Sequence, residues 1–201
     1  MIVGCLLTGI LCGMYLDIPF LPYCKDISSY LLAFLVFQAG LNLGANSDFN
    51  YMKANFQWSS FLFPVFTIGG TLLFSALASI LLAMNLWDGM AVGCGFGYYS
   101  LSSIMIIQLK ENVIGMDLAS QLGAIALLTN VFRELFALIG APLYAHCFGK
   151  LAPISAAGVT SIDVCLPTIS KYSGQEFIPI AVIQGIVLEI ATPMLITFFC
   201  G

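Results

Sequence analysis

Charge is almost absent from this chain, and where it falls inside the apolar runs it comes with residues that break helices. Between Gln57 and Met84 there is no Asp, Glu, Lys or Arg at all. Of 201 residues, 60% are hydrophobic and 8% charged, against roughly 25% charged in a soluble domain. Such a chain cannot hide its apolar surface from water in one core. In lipid every backbone group must be satisfied internally, and long unalternated apolar runs do this as helices. The sequence therefore predicts an all-α, polytopic membrane protein. The net charge of −4 includes no basic patch, which argues against nucleic acid as a partner. Cys5, Cys12, Cys94, Cys147, Cys165 and Cys200 lie within or beside apolar runs, where a free thiol acts as a small hydrophobe. No Cys-x-x-Cys pair occurs and His146 is alone, so reduced cysteines, no metal and no cofactor are expected.

About seven transmembrane segments follow. Met1–Leu16 lacks a basic n-region and reads as a retained segment, not a signal peptide. As a helix it reaches about 24 Å, short of the ~30 Å hydrocarbon core, with Gly9 and Gly13 spaced for close helix approach and Pro19 and Pro22 closing it. Ser29–Gly44 carries Gln38 and Asn42 on one face; a polar loop, Asn46–Asn55, leads to Trp58, an interfacial anchor. Gln57–Met84 reads as scaffold with a kink at Gly69-Gly70. Met90–Leu109, Leu118–Phe148, Pro153–Ser170 and Phe177–Cys200 complete the set. The whole reads as one transporter domain, scaffold-like over 1–84 and repetitive over 85–201. Lys25 and Lys150 fall on one side and Lys53, Lys110 and Lys171 on the other, a bias too small to orient the chain.

Gly158-Val159-Thr160-Ser161-Ile162-Asp163-Val164-Cys165-Leu166-Pro167 sets a carboxylate, two hydroxyls, a glycine and a proline inside apolar sequence. Glycine costs a helix interior about 1 kcal/mol and proline about 3, so a smooth helix is not expected. Broken helices at membrane depth are tolerated where they line a cavity or lie buried in protein. Gly97-Tyr98-Tyr99-Ser100-Leu101-Ser102 repeats the pattern as Gly-x-x-Ser-aliphatic-Ser/Asp. After each copy comes a short loop with a lysine and a glycine (Lys110 to Gly115, Lys171 to Gly174), then an apolar segment bearing an acid, Glu134 or Glu189. Interrupted segments at matching places point to a transporter's binding site.

Arg133, Glu134, Asp163 and Glu189 are the ionisable residues within apolar spans. At roughly 2.5–3.5 kcal/mol each they are expensive unless they face a cavity or each other. Asn130 and Glu134 share a helix face, whereas Arg133 and Glu134 diverge; pairing of Arg133 and Glu134 with neighbouring helices is the purely structural alternative. Glu189 belongs either near the site or at the membrane edge. Acids exceed the base, and surplus buried carboxylate takes a cation or a proton, the minimum apparatus for exchange.

Gly95-Phe96-Gly97-Tyr98-Tyr99-Ser100-Leu101-Ser102, then Arg133-Glu134-Leu135, then Gly158 to Asp163 through Leu166-Pro167, resemble the bacterial lysine exporter LysO family in order and spacing. The resemblance runs from Met1 to the C-terminus. It implies a multi-pass protein of the bacterial cytoplasmic (inner) membrane that exports L-lysine and its analogue thialysine in exchange for protons, with the acids matching Glu134 and Asp163 implicated in transport. Three departures stand out. A further apolar stretch of roughly three helices is absent before Met1, which implies a shortened or split form completed by a small membrane protein, or a homo-oligomer. Asn130 stands where the family commonly has Asp, and Glu189 where a small polar residue is usual.

The mechanism expected is that the breaks around Ser100 and Ser161 meet. Tyr99, Ser100, Ser102, Thr160, Ser161 and Asn130 line the site, Asp163 and Glu134 hold the cation or protons, and a half-helix N-terminus or Arg133 holds the carboxylate. The nearest alternatives are a monovalent cation/proton antiporter and an exporter of another cationic amino acid such as ornithine. An intramembrane hydrolase is disfavoured, since neither Tyr-Asp with Gly-x-Gly-Asp nor a Ser–His arrangement is present.

Overall fold

The computed structural model describes Thr8 and residues 62–201. The expected segments Met1–Leu16 and Ser29–Gly44, the Gln38–Asn42 face, the Asn46–Asn55 loop and the Trp58 anchor lie outside the described residues. Tyr51–Gly201 belongs to one compact unit, and all that follows concerns it.

Every regular element among the described residues from Leu62 on is helical. The α-helices are α1 (Leu62–Leu81), α2 (Leu86–Gly93), α3 (Tyr99–Ile114), α4 (Met116–Cys147), α5 (Ala152–Ala157), α6 (Leu166–Tyr172) and α7 (Ile178–Cys200). Two 3-10 turns, Gly158–Ile162 and Gln175–Phe177, complete the set. Among the described residues, three stretches are long and apolar enough to cross a membrane: α1, α4, and α7 with the turn before it. This is an all-α membrane protein.

The elements follow from local sequence. With no charge to place, α1 turns Val65, Phe66, Leu73, Phe74, Ile80 and Leu81 outward, the surface that lipid tolerates. Its inner face meets α2 through Gly89 and Gly93; a Cβ on either would overlap Ser79 or Ser75. That is the small-residue spacing by which membrane helices approach closely. Asn85 caps α2, its side chain accepting the Trp87 N–H at 3.0 Å, with Asp88 in the first turn. Helix α4, at 32 residues, is about 48 Å long, which exceeds an ordinary hydrocarbon core and is accommodated by tilt or by projection beyond it.

Two apolar clusters flank the broken segments. One joins Ala91, Val92, Phe96, Ile106, Leu122, Val159, Leu188 and Ile196. The other joins Ala137, Ile154, Ala157, Cys165, Ile169 and Ala181.

Several sequence expectations are corrected here. The broken segment expected over Met90–Leu109 is two helices, α2 and α3, but the break lies at Cys94–Tyr98, before Ser100. Lys110 to Gly115 is not a loop: α3 continues to Ile114 and ends at Gly115 (φ 84°). Lys110 is buried there because Asp88 of α2 pairs with it at 2.9 Å. Lys171 likewise lies on a helix, α6, with only Gly174 in the connection. Gly69-Gly70, where a kink is expected, lies within α1.

Candidate functional site

The two copies of the sequence pattern are the two places where helices break, and the breaks touch. In the first, α2 ends at Gly93 and the chain turns through Cys94–Tyr98 before α3 starts at Tyr99. Phe96 (φ 45°) and Gly97 (φ 93°) both hold positive φ, a conformation that costs a non-glycine residue about 1–3 kcal/mol. In the second, α5 ends at Ala157, Gly158 reverses the backbone (φ 66°), and a 3-10 turn leads to Asp163 before α6 begins at Leu166 with Pro167 in its first turn.

The Val159 N–H donates to the Phe96 carbonyl at 2.9 Å, joining one break to the other. The equivalent glycines of the repeat sit at this crossing. A Cβ on Gly97 would lie 3.2 Å from the Ala157 oxygen, and one on Gly158 would overlap the Phe96 oxygen. Glycine is therefore required twice over, for its φ and for the close approach of two backbones.

Helix α4 clamps both breaks from one face. Asn130 is buried, accepting the Gly97 N–H through Oδ1 at 2.8 Å. Its Nδ2 donates to the carbonyls of Ala126 (2.8 Å) and Val92 (3.2 Å), with Ser102 Oγ at 3.4 Å. One turn on, Arg133 donates through Nε to Ala156 O and through Nη2 to Ser155 O, both at 3.1 Å, and through Nη1 to Thr71 Oγ1 at 3.4 Å. Its guanidinium also lies 5.5 Å from the centroid of the Phe96 ring. An amide thus serves the C-terminal end of α2 and a cation that of α5, where free carbonyls carry partial negative charge.

The hydroxyls of the second break also hold backbone. Thr160 is buried, donating to Ala157 O at 3.0 Å, with Cys165 Sγ at 3.3 Å. Ser161 bonds the carbonyls of Gly158 and Ala181, both at 2.8 Å, which ties the turn to α7. Ser102 donates to Tyr99 O at 3.2 Å.

Glu134 and Asp163 remain. They are half-buried, and neither forms an ion pair among the described residues. Asp163 Oδ1 accepts the N–H of its own neighbour Val164. The expected residues thus separate. Asn130, Arg133, Ser102, Thr160 and Ser161 build the crossing; Glu134, Asp163 and Tyr99 gather beside it. Ser100 is exposed in the first turn of α3, and Glu189 is exposed on α7. No group of three His, Cys, Asp or Glu side chains with metal-ligand proximity occurs among the described residues.

Two contributors were missed in the sequence. Phe96 supplies the carbonyl and ring that join the breaks, and only its place before a glycine hinted at it. Gln184 is fully buried on α7, and its one signal was an amide within the last apolar segment.

A family model described as Lysine exporter LysO matches residues 3–200. The chain belongs to the lysine exporter LysO family. It is similar to a protein named Putative lysine exporter from Haemophilus influenzae (strain ATCC 51907 / DSM 11121 / KW20 / Rd), 31% identical over 199 residues that cover 98% of this chain and 93% of that one. It is also similar to Lysine exporter LysO of Escherichia coli (strain K12), 26% identical over 201 residues. That match covers 98% of this chain but spans 62% of the E. coli protein's length. No solved structure matches. In LysO-family terms, the Gly-rich motif, the Arg133-Glu134 pair and the Gly158–Asp163 motif now have one spatial meaning, the crossing and its two acids.

Proposed function

We propose that this chain is a secondary transporter that exports L-lysine, and close analogues such as thialysine, across the bacterial cytoplasmic membrane in exchange for protons. The observation that carries the reading is a pair of half-buried carboxylates, Glu134 and Asp163, beside two crossed helix breaks, with no cationic side chain paired to either among the described residues. The names of both relatives support lysine as the cargo.

Two half-buried carboxylates are costly to leave bare, and either a cation or protons relieve them. The ammonium group of lysine binds Glu134 and Asp163 from the cytoplasmic side. Protons that arrive from the other side neutralise the carboxylates, the electrostatic hold disappears, and lysine leaves. Return with protons bound, then their loss to the cytoplasm, resets the site. A bound ammonium offsets one of the two negative charges and protons offset both, so an empty, doubly charged site is avoided during the crossing. Arg133 is committed to the end of α5, so it enters this cycle by holding the break and not by exchanging partners.

The test is lysine-driven proton flux in proteoliposomes. The wild type is expected to couple the two, with Asp163→Asn and Glu134→Gln each folded but reduced at least about a hundredfold, the scale on which charged-pair removal is felt. Normal lysine flux in either variant would refute the role of that acid. Proton flux driven by sodium or potassium, with none by lysine, would replace the substrate with a monovalent cation and keep the site.

A further inference from the structure

The face of α7 that meets the second break carries an amide for which the fold has no use. Ala181, Gln184, Gly185 and Leu188 lie on one buried strip of that helix. The strip is fastened to the Gly158–Ile162 turn at two points: Ser161 Oγ donates to Ala181 O at 2.8 Å, and a Cβ on Gly185 would lie 2.7 Å from the Cβ of Ile162 and 3.1 Å from the Val159 oxygen. Gln184 stands between those fastenings, fully buried, and neither its Oε1 nor its Nε2 has a hydrogen-bond partner among the described residues. Ser161, on the turn that meets this strip, directs its hydroxyl to the Gly158 and Ala181 carbonyls.

Buried side-chain amides are rarely left with both ends unmatched. The residues around Gln184 give it neither acceptor nor donor, although a methionine or leucine would fill the same space without that penalty. The chemistry that matches it offers an acceptor and a donor side by side. An α-amino acid does so with its carboxylate and ammonium. The carboxylate also needs such a partner here, because Glu134 and Asp163 repel it and Arg133 is directed at α5 and Thr71.

We propose that the Gln184 amide binds the α-carboxylate and α-ammonium of the transported amino acid, so that the site reads an amino-acid head group as well as a cationic side chain. This rests on the transport reading above. Nε2 donates to the carboxylate, Oε1 accepts from the ammonium, and Glu134 with Asp163 hold the side-chain charge.

The experiment compares lysine with cadaverine, which is lysine without its carboxylate, on the full chain in detergent by equilibrium binding and in proteoliposomes by transport. The wild type is expected to bind lysine at least about tenfold tighter than cadaverine, the scale of one lost hydrogen-bonding group of about 1.4 kcal/mol. Gln184→Met, which conserves volume, is expected to raise Kd and KM for lysine about tenfold and to weaken cadaverine less, since cadaverine keeps the ammonium for Oε1 but offers no carboxylate to Nε2. Equal affinity of the wild type for the two compounds would overturn the proposal without recourse to any variant. So would a Gln184→Met protein that keeps the wild-type preference or weakens both ligands equally. A wild type that neither binds nor moves lysine or cadaverine would instead overturn the lysine reading, and this inference with it.

Discussion

Asn130 is the residue whose loss the structure prices most directly. Its Oδ1 is the partner of the Gly97 N–H at 2.8 Å, inside a break where no helical carbonyl is available to that donor. Replacement by alanine leaves this buried N–H unmatched, at about 1–3 kcal/mol. The two bonds from Nδ2, to Ala126 O and Val92 O, are also lost. Both act on backbone carbonyls, and Val92 O keeps the Gly95 N–H at 3.3 Å, so each contributes only the net value of about 0.5–1.5 kcal/mol. Alanine favours the helix by a few tenths of a kcal/mol in return, roughly 0.5 or less. The expected destabilisation is therefore about 2–6 kcal/mol, read as the shift in reversible unfolding of the detergent-solubilised chain. Asn130→Asp retains an oxygen for Gly97 N–H and, when protonated, a donor for one carbonyl. It is expected to cost about half as much as alanine. A loss below about 1 kcal/mol for Asn130→Ala, or a greater loss for Asp than for Ala, would refute the clamp.

The remaining expectations concern the crossing and the ion pair. Gly158→Ala combines a positive φ with overlap on the Phe96 oxygen and is expected to cost about 3 kcal/mol or more. Gly115→Ala, where φ is 84° but the space is open, is expected to cost about 1–2 kcal/mol by unfolding; equal costs at the two sites would show that the backbones do not press together. Arg133→Lys keeps the charge but cannot reach Ala156 O and Ser155 O at once, so stability is expected to fall by about 1.5–3 kcal/mol. Lys110→Met and Asp88→Asn are each expected to destabilise by more than half of what the double variant loses, since one partner alone leaves a half-buried charge unmatched; additive losses in the double-mutant cycle would deny the pair a role.

Much of the helical outline was legible because apolar length and glycine–proline punctuation act locally. The breaks at Gly97 and Gly158 could be read because helix propensity penalises glycine and proline wherever they stand. That the breaks meet was legible only as a repeat, since the hydrogen bond from Val159 to Phe96 joins residues far apart in sequence. Lys110 misled for the same reason: a lysine beside a glycine looks like a loop until Asp88, on another helix, is seen to hold it. Asn130 and Arg133 were recognisable as polar residues in an apolar helix, but not as clamps, because their partners are backbone carbonyls, which leave no trace in side-chain identity. Gln184 stayed silent because an amide that has no partner looks the same in sequence as one that has.

These polar groups differ in what their removal should do. In lipid an unmatched backbone group is costly, and each break exposes several. Those groups are met here by Asn130, Arg133, Ser161 and the contact between Val159 and Phe96. With the breaks supported in this way, the fold asks nothing further of Glu134 or Gln184, and of Asp163 only the bond to the Val164 N–H, which an asparagine oxygen also accepts. Substitutions of the first group should therefore reduce stability and transport together. Substitutions of the second by shape-matched neutral residues should leave stability equal or higher while transport falls. That opposition separates residues that build the crossing from residues that use it. Asp163→Asn or Gln184→Met, if it lowered stability as much as Asn130→Ala does, would show that the two groups are one.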